Sequence, residues 1–206
     1  MITSIKAIIL DFGGVIFTGK LEDIQHKLAQ KIGLPQSVFI EQYNRHARAL
    51  VTGTMPAEEF AKELARTTHK TSHEILDSWR NIYLETMNMN PNILAVLESL
   101  KKQYIVTAIT NTNSLHAALN KSRGTYDCVD SIIISCDVGL AKPDVRIFQK
   151  ILARYNLKPE ECIFIDDRSE NIIAAKTAGF HTIRYEGIPH MIRTIRNLSK
   201  ANHIPH

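Results

Sequence analysis

Residues 5–14 read IKAIILDFGG, an apolar run that is interrupted only by Lys6 and ends at Asp11 and a glycine pair. An apolar run of this length followed by glycine is typical of a buried parallel strand that stops at a turn. In open α/β sheets, ligands and reactive groups collect where such strands end. Asp11 is therefore a candidate nucleophile or metal ligand, although a helix N-cap or a turn aspartate would show the same local sequence.

The rest of the chain alternates between strand-like and helix-like patterns. Apolar segments predict four more strands, at 104–110, 131–135, 162–166 and 180–184. Helical periodicity appears between and after them, near 113–122, 144–155, 169–178 and 189–200. This alternation predicts an α/β fold, a Rossmann-like parallel sheet with helices on both of its faces.

The stretch from about 18 to 88 breaks the alternation, because it contains no convincing strand. Amphipathic patterns predict helices near 21–32, 36–50, 56–66 and 72–87, and Pro91 opens a further helix over 91–102. We therefore expect a helical module over 18–88, inserted into a core formed by 1–17 and 89–206. Its apolar residues, such as Phe39, Phe60 and Trp79, are expected to form its own core.

Composition excludes several functional classes. The 206-residue chain has a net charge of +4 without a dense Lys/Arg block, so we do not expect a nucleic-acid partner. Its apolar runs are too short to span a bilayer. The three cysteines, Cys128, Cys136 and Cys162, form neither a disulfide framework nor a zinc motif. We expect a cytoplasmic protein without a membrane partner, either a monomer or a homodimer.

Polar residues follow the second and third predicted strands. Thr110 and Asn111 offer hydroxyl and amide donors that suit phosphate oxygens, although Thr112 or Asn113 could simply cap the next helix. Lys142 precedes a helix start and is followed by proline. A lysine in that place can act as a point charge on a phosphate, and the alternative is a surface lysine.

Two adjacent carboxylates, Asp166 and Asp167, end the fourth predicted strand. Such a pair repels itself, and when it is buried it needs a cation or hydrogen-bond donors. Mg²⁺ takes oxygen ligands and suits this arrangement.

The order of these motifs is more specific than any one of them: Asp-x-Gly-Gly, Thr-Asn, Gly-x-x-Lys-Pro-Asp and Asp-Asp. In this order the chain resembles the haloacid dehalogenase-like (HAD) hydrolase superfamily over nearly its whole length, including a helical cap inserted after strand one. Segments 110–116 and 139–144 are most similar to the sugar-phosphate phosphatase branch, which includes glucose-1-phosphate phosphatase. The dehalogenase branch needs no metal, and the Asp166–Asp167 pair argues against it.

The resemblance implies a Mg²⁺-dependent phosphatase that acts on a small phosphorylated metabolite through an aspartyl-phosphate. By similarity, Asp11 is the nucleophile, and Thr110 and Asn111 bind the phosphate. Lys142 balances charge on Asp11 and on the transferring phosphoryl group. The resemblance implies Mg²⁺ ligands at Asp11, the Gly13 carbonyl, and Asp166 or Asp167. It also implies that Asn171 orients Asp166 or Asp167.

Gly13 departs from the pattern of most phosphatases of this superfamily, which carry a second aspartate at that position. General acid–base assistance contributes about 10²- to 10⁴-fold. Its absence leaves three readings: a substrate with an acidic leaving group, a proton supplied by the cap or by water, or a protein without catalysis. A phosphomutase is disfavoured, because it needs acid–base help. A catalytically weak or silent regulatory protein that binds phosphate ligands stays open.

A cap contacts the part of the substrate beyond the phosphate and thereby selects among substrates. Thr18 and Lys20 in the first linker are candidate substrate contacts. Arg45 and Arg48 are further candidates, which equally fit a solvated helix face. His116 is expected on a helix surface rather than in the cleft.

Overall fold

The computed structural model describes residues 4–201 and contains a parallel five-stranded sheet in the order β3-β2-β1-β4-β5. The strands are β1 (Ala7–Leu10), β2 (Ile105–Thr110), β3 (Ser131–Ile134), β4 (Cys162–Asp166) and β5 (His181–Arg184). Every strand pair in the sheet is parallel. The predicted α/β fold is confirmed.

The segment between β1 and the rest of the sheet is helical, as the sequence predicts. It contains α1 (Leu21–Ile32), α2 (Gln36–Val51), α3 (Ala57–Ala65) and α4 (Ser72–Thr86). Gly33, which has a φ of 75°, ends α1, and the Thr71–Glu74 capping box begins α4. We refer to residues 18–88 as the helical insertion.

Within residues 4–201, six more α-helices follow the insertion. They are α5 (Pro91–Lys101), α6 (Ser114–Ser122), α7 (Ser135–Val138), α8 (Arg146–Tyr155), α9 (Ser169–Thr177) and α10 (Ile188–Ala201). The predicted core segments 1–17 and 89–206 include residues 1–3 and 202–206, which lie outside the described residues.

Side chains of β1 alternate between the two faces of the sheet. Ile8 and Leu10 pack in one hydrophobic cluster, and Ala7 and Ile9 pack in the other. The first cluster continues into the helical insertion, where it includes Phe39, Phe60 and Trp79 among its buried residues. The insertion therefore shares one continuous apolar core with the sheet instead of a core of its own.

The two chain crossings between sheet and insertion are paired with each other. Phe17 and Met89 form an antiparallel bridge, and the Thr18 amide donates to the Asn88 carbonyl at 2.9 Å. The Asn90 amide donates to the Ile16 carbonyl, also at 2.9 Å. The chain thus leaves and re-enters the core through a short ribbon.

Two local expectations were wrong. Ser135 begins the short helix α7 instead of ending β3, and α7 stops at Gly139, whose φ is 71°. The helix predicted from 144 begins at Arg146, because the main chain turns at Asp144, whose amide donates to the Ala141 carbonyl at 3.0 Å. Over residues 4–201, no helix is both long and apolar enough to cross a membrane.

Candidate active site

The sheet order brings three of the predicted strand ends together. β1 lies between β2 and β4, and Leu10 is in register with Ala108 on one side and Ile165 on the other. Parallel strands end at the same edge, so Asp11, Thr110 and Asp166 emerge side by side.

Lys142 lies at the centre of this edge. Its Nζ is 2.7 Å from Asp11 Oδ1 and 2.8 Å from Asp166 Oδ2, and only 1% of its side chain is exposed. The Phe164 ring lies 5.6 Å from Nζ. Burial alone would lower the pKa of Lys142, but Asp11 and Asp166 raise this pKa above its ordinary value. The side chain is therefore an ammonium ion that joins two carboxylates, not the surface lysine of the alternative reading.

The Asp11 carboxyl is tuned by opposing effects. Burial raises the pKa of Asp11 to about 6, Lys142 opposes that shift, and Asp166 and Asp167 add to it. Asp11 is therefore mostly ionised at pH 7. A carboxylate must be ionised to act as a nucleophile or a metal ligand.

Asp166 is fully buried and its two oxygens are well supplied with donors. Oδ1 accepts from the Arg168 amide at 2.9 Å, Oδ2 accepts from Lys142, and Asn171 Nδ2 lies 3.0 Å from both oxygens. The Asn171 amide thus contacts both carboxylate oxygens of Asp166.

Asp167 is the more open member of the acidic pair. Burial raises the pKa of Asp167, and the charge of Asp166 raises it further. Gly14 has a φ of 70°, and a Cβ there would overlap the Asp167 carboxylate. Glycine at this position therefore allows both the turn and the close approach of Asp167.

Asp11, Asp166 and Asp167 each offer a carboxylate oxygen, and these oxygens lie within 4.8 Å of one another. Three carboxylates face one ammonium, so the cluster holds more negative than positive charge when all are ionised. An all-oxygen donor set of this kind fits a hard divalent cation such as Mg²⁺.

The side chain of Asn111, which was expected to donate to phosphate, contacts the main chain of Lys142. Its Nδ2 donates to the Lys142 carbonyl at 2.8 Å, and its Oδ1 accepts from the Lys142 amide at 2.9 Å. Thr110 is buried at the end of β2, beside Ile134 of β3. Asn113 caps α6 by accepting from the His116 amide at 3.0 Å.

The candidate substrate contacts of the insertion lie in different surroundings. Arg48 Nη2 is 3.9 Å from Asp144 Oδ2, two residues beyond Lys142, whereas Arg45 pairs with Glu41 at 3.2 Å on an exposed helix face. Thr18 Oγ1 donates to the Asn88 carbonyl at 3.2 Å, within the paired crossings. Lys20 is exposed at the N-cap of α1.

His116 contradicts the expectation of a surface residue. It is buried, stacks on Tyr83 with ring centroids 3.9 Å apart, and meets Trp79 edge-on at 5.4 Å. Burial lowers the pKa of His116 to about 3, so the imidazole is neutral. Asn113 Nδ2 is 3.2 Å from His116 Nδ1 and can only donate, so Nδ1 is the acceptor.

Asn120, one helical turn after His116, was missed in the sequence. Its Nδ2 donates to the Tyr83 hydroxyl at 2.7 Å and lies 3.3 Å from the Tyr126 hydroxyl. The signal was the i, i+4 spacing of His116 and Asn120 on α6. Together with Trp79 and Tyr83 of α4, these side chains form what we call the aromatic junction between insertion and core.

Two further contacts hold the insertion against the core. The Ala57 amide, at the start of α3, donates to Ser114 Oγ of α6 at 3.0 Å. Gly53 has a φ of 73° and lies so close to the Cys136 carbonyl that a Cβ would overlap it. The loop before α3 therefore lies directly on the core beside α7.

Residues 5–179 match the family described as haloacid dehalogenase-like hydrolase. The chain belongs to this family of hydrolases.

Curated relatives differ in the share of their own length that matches. D-ribitol-5-phosphate phosphatase of Bacteroides thetaiotaomicron is 28% identical over 197 residues, which cover 88% of this chain and 92% of that protein. Acyl-CoA dehydrogenase family member 10 of Mus musculus is 27% identical over 194 residues, which cover 89% of this chain but only 18% of that protein.

A solved structure shows the same fold. A HAD family enzyme from Bacteroides thetaiotaomicron, determined as a magnesium complex, superposes with a TM-score of 0.78. It is 22% identical, and the match covers 93% of this chain and 100% of that chain.

Proposed function

We propose that this protein is a Mg²⁺-dependent phosphatase that hydrolyses a small phosphorylated metabolite of the sugar-phosphate class through an aspartyl-phosphate. The observation that carries the proposal is the Lys142 ammonium held between Asp11 Oδ1 and Asp166 Oδ2, with Asp167 beside them. A buried group of this kind is costly, and a merely structural core has little need of it. The similarity to a D-ribitol-5-phosphate phosphatase supports a phosphorylated sugar or polyol as the substrate class, and the leaving-group preference given below rests on Gly13 alone, because D-ribitol 5-phosphate is an alkyl phosphate.

Asp11 is the nucleophile of the proposed reaction. Its free carboxylate oxygen attacks phosphorus, the bond to the leaving oxygen breaks, and an acyl phosphate forms on Asp11. Water then cleaves the acyl phosphate and restores the carboxylate. The Lys142 ammonium offsets charge on Asp11 and on the phosphoryl oxygens, and Thr110 donates a hydrogen bond to one of those oxygens.

Asp11, Asp167 and the Gly13 main-chain carbonyl would hold Mg²⁺. Asp167 is the better candidate of the acidic pair, because the oxygens of Asp166 already accept from Lys142, Asn171 and the Arg168 amide. The ion supplies positive charge that lowers the repulsion between a carboxylate and a phosphate dianion.

Gly13 shapes the substrate preference that we propose. A Cβ at Gly13 would meet Asp11 Oδ2 at 3.7 Å as its nearest neighbour, so this position borders the nucleophile without offering it an acid. A leaving oxygen that needs little protonation is then favoured, as in anomeric, acyl or aryl phosphates. We expect aryl and anomeric phosphates to turn over faster than alkyl phosphates, and equal rates on both would contradict this preference.

Residues 18–88 are proposed to act as the cap that covers the site and reads the substrate beyond its phosphate. Arg48 is the strongest candidate of the four substrate contacts, because it reaches the loop that carries Lys142. Thr18, Lys20 and Arg45 are proposed as weaker candidates.

Gly13 also favours a second candidate, a regulatory protein that binds phosphate ligands without turning them over. A phosphomutase is less suited, because passing phosphate between two hydroxyls needs the acid–base group that Gly13 lacks.

One experiment separates these candidates. Release of phosphate from p-nitrophenyl phosphate and a panel of sugar phosphates is measured with and without Mg²⁺, for wild type, Asp11→Asn and Asp137→Asn. Asp137 is a matched control, because its carboxylate pairs with the exposed Lys121 at 2.7 Å. A phosphatase loses turnover in Asp11→Asn and without Mg²⁺ but keeps it in Asp137→Asn. Inert wild type that still binds phosphate ligands favours the regulatory protein.

A further inference from the structure

We propose that Asn111 is a positioning residue that holds the main chain of Lys142 and thereby sets where the ammonium lies, an inference that rests on the proposed function. The side-chain amide of Asn111 pairs with both main-chain polar groups of one residue, 31 positions away. Donor and acceptor of the amide each have a partner of the opposite kind, at 2.8 Å and 2.9 Å. This is the geometry of a paired peptide group in a sheet, made here by a side chain.

Lys142 depends on this pairing because of where it lies. It belongs to the irregular segment between Gly139, which ends α7, and Arg146, which begins α8. Lys142 is only 4% exposed, so in the folded protein its amide and carbonyl have little contact with solvent and depend on Asn111 as their partner. Without the Asn111 side chain, a buried donor and a buried acceptor would lose their partners.

The position of the Lys142 main chain matters for the ammonium at its end. A lysine side chain is a flexible four-carbon stem, which does not by itself define where Nζ lies. Here Nζ must reach Asp11 Oδ1 and Asp166 Oδ2 at once, at 2.7 Å and 2.8 Å. The Lys142 side chain is held at both ends, because Asn111 holds its main chain and two carboxylates hold Nζ. Its four-carbon stem therefore has little freedom.

Asn111 also links two groups that are proposed to act on the same phosphate. It follows Thr110 directly, at the end of β2. The strand end that presents the Thr110 hydroxyl therefore holds the Lys142 loop in register with it. A shift of about 1 Å in such an arrangement can cost about 10²-fold in rate.

This role differs from side-chain binding of phosphate, the expectation from the sequence. Both amide atoms of Asn111 already have partners in Lys142, which leaves one N–H of Nδ2 as the donor that a phosphate could use while the pairing stays in place. The two roles can be separated by experiment.

Asn111→Ala is compared with Asn113→Ala. Asn113 is buried, whereas Asn111 is partly buried, and Asn113 lies in the same loop, but its side chain caps α6 and contacts His116. The first readout needs no turnover: the rate at which an acetylating reagent modifies Lys142, measured by mass spectrometry on the folded protein. We expect Asn111→Ala to raise this rate by about tenfold or more, since loss of the pairing opens the loop. Asn113→Ala should leave it unchanged.

The second readout is kinetic. With p-nitrophenyl phosphate and Mg²⁺, we expect kcat of Asn111→Ala to fall about 10²-fold, whereas that of Asn113→Ala stays within about threefold per folded molecule. Asn111→Asp keeps the acceptor for the Lys142 amide, loses the donor, and should fall between wild type and Asn111→Ala. This variant retains the side-chain volume and replaces Asn111→Ala in every comparison if the latter does not fold.

Combination with Lys142→Ala distinguishes the two roles of Asn111. Affinity for inorganic phosphate in the presence of Mg²⁺ is measured by calorimetry for the two single variants and the double variant. If Asn111 acts through Lys142, removing Asn111 costs nothing further once Lys142 is alanine. An equal loss of affinity in both backgrounds would mean that Asn111 binds phosphate directly, and would overturn the proposal.

The labelling experiment keeps this inference apart from the proposed function. If wild type turns over no phosphate ester but Lys142 becomes reactive in Asn111→Ala, the phosphatase proposal fails and Asn111 still positions Lys142. Unchanged labelling of Lys142 in Asn111→Ala overturns the inference, whatever the activity of the wild type.

Discussion

Two buried polar regions of this protein follow different rules. Around Lys142, buried charges meet opposite charges or amide donors at 2.7–3.0 Å. At the aromatic junction, among the described residues, His116 Nε2, Asn120 Oδ1 and Trp79 Nε1 are buried without a hydrogen-bond partner.

The difference reflects the cost of burying each kind of group. An unpaired buried charge costs several kcal/mol, whereas an unpaired neutral polar atom costs about 1–3 kcal/mol and can be offset by packing. The Lys142 cluster is therefore organised by electrostatics. The aromatic junction is organised by ring packing, which suits a permanent contact between insertion and core.

The largest expected effect concerns the nucleophile. Asp11→Asn should lower kcat by about 10³-fold or more, because an amide cannot form the acyl phosphate. Phosphate release with saturating substrate and Mg²⁺ measures this, and circular dichroism checks that the variant folds. Retained turnover would show that Asp11 is not the nucleophile.

Removal of the buried ammonium should have the largest effect on stability. Lys142→Met leaves Asp11 and Asp166 facing each other, and we expect a loss of about 3–5 kcal/mol in the free energy of unfolding at pH 8. The loss should shrink as the pH falls, because burial already raises the pKa of Asp11 to about 6 beside Lys142, and removing Lys142 raises this pKa further, so that Asp11 takes up a proton in the variant. Urea unfolding at pH 8 and pH 5 measures both values.

Lys121→Met is the control for that experiment. Lys121 pairs with Asp137 at 2.7 Å, but both side chains are about half exposed. Its loss should cost less than about 1 kcal/mol at either pH. Similar losses for the two lysine variants would contradict the claim that burial makes the loss of the Lys142 charge costly.

His116 makes the aromatic junction sensitive to acid. Burial lowers the pKa of His116 to about 3, whereas an unfolded chain has an ordinary histidine near 6.5. Between these values the unfolded state binds more protons, so the stability that depends on neutral His116 is complete above pH 6.5. That stability is lost as the pH falls toward 3.

At about 1.4 kcal/mol per pH unit, the loss through His116 reaches about 2 kcal/mol at pH 5 relative to pH 7. Urea unfolding from pH 7 to pH 4.5 should show this slope in wild type and a shallower slope in His116→Phe, which keeps a ring against Tyr83. Parallel slopes would mean that His116 is not buried as a neutral group.

The smallest effect on stability is expected for Arg48, which lies on α2 of the helical insertion. Arg48→Ala removes a long pair, at 3.9 Å, whose arginine side chain is exposed, and should change the free energy of unfolding by less than about 0.5 kcal/mol. If Arg48 contacts substrate, KM for sugar phosphates should rise while KM for p-nitrophenyl phosphate stays the same. A matching rise for both substrates would remove Arg48 from the substrate contacts.

The sequence was sufficient for features that depend on local pattern. The helix predicted over 21–32 is observed with those bounds, and all five strands lie within the predicted segments. The meeting of Asp11 and Asp166 was also foreseeable, whereas Lys142 lies in the irregular segment after α7 and not at a strand end. Parallel strands that end in polar residues place those residues at one edge of the sheet.

Features that depend on pairing between distant segments could not be read from local pattern. The partner of Asn111 lies in a loop 31 residues later, and only the folded chain shows that its side-chain amide pairs with the main chain of Lys142. His116 was expected on the surface of α6, but it is buried. Its burial depends on Tyr83 and Trp79 of the inserted helix α4. The contact between the insertion and the core depends on how the surfaces of α4 and α6 fit together. Helical periodicity within one segment does not predict such a fit.

The central claim is that Asp11 accepts the phosphoryl group. The most direct test is rapid acid quench of wild type mixed with Mg²⁺ and a reactive phosphate ester, followed by mass spectrometry of the peptide that contains Asp11. The account predicts a phosphoryl adduct on Asp11 that is sensitive to hydroxylamine, requires Mg²⁺ and is missing from Asp11→Asn. Steady release of phosphate by wild type without an adduct at Asp11 under any quench time would contradict it.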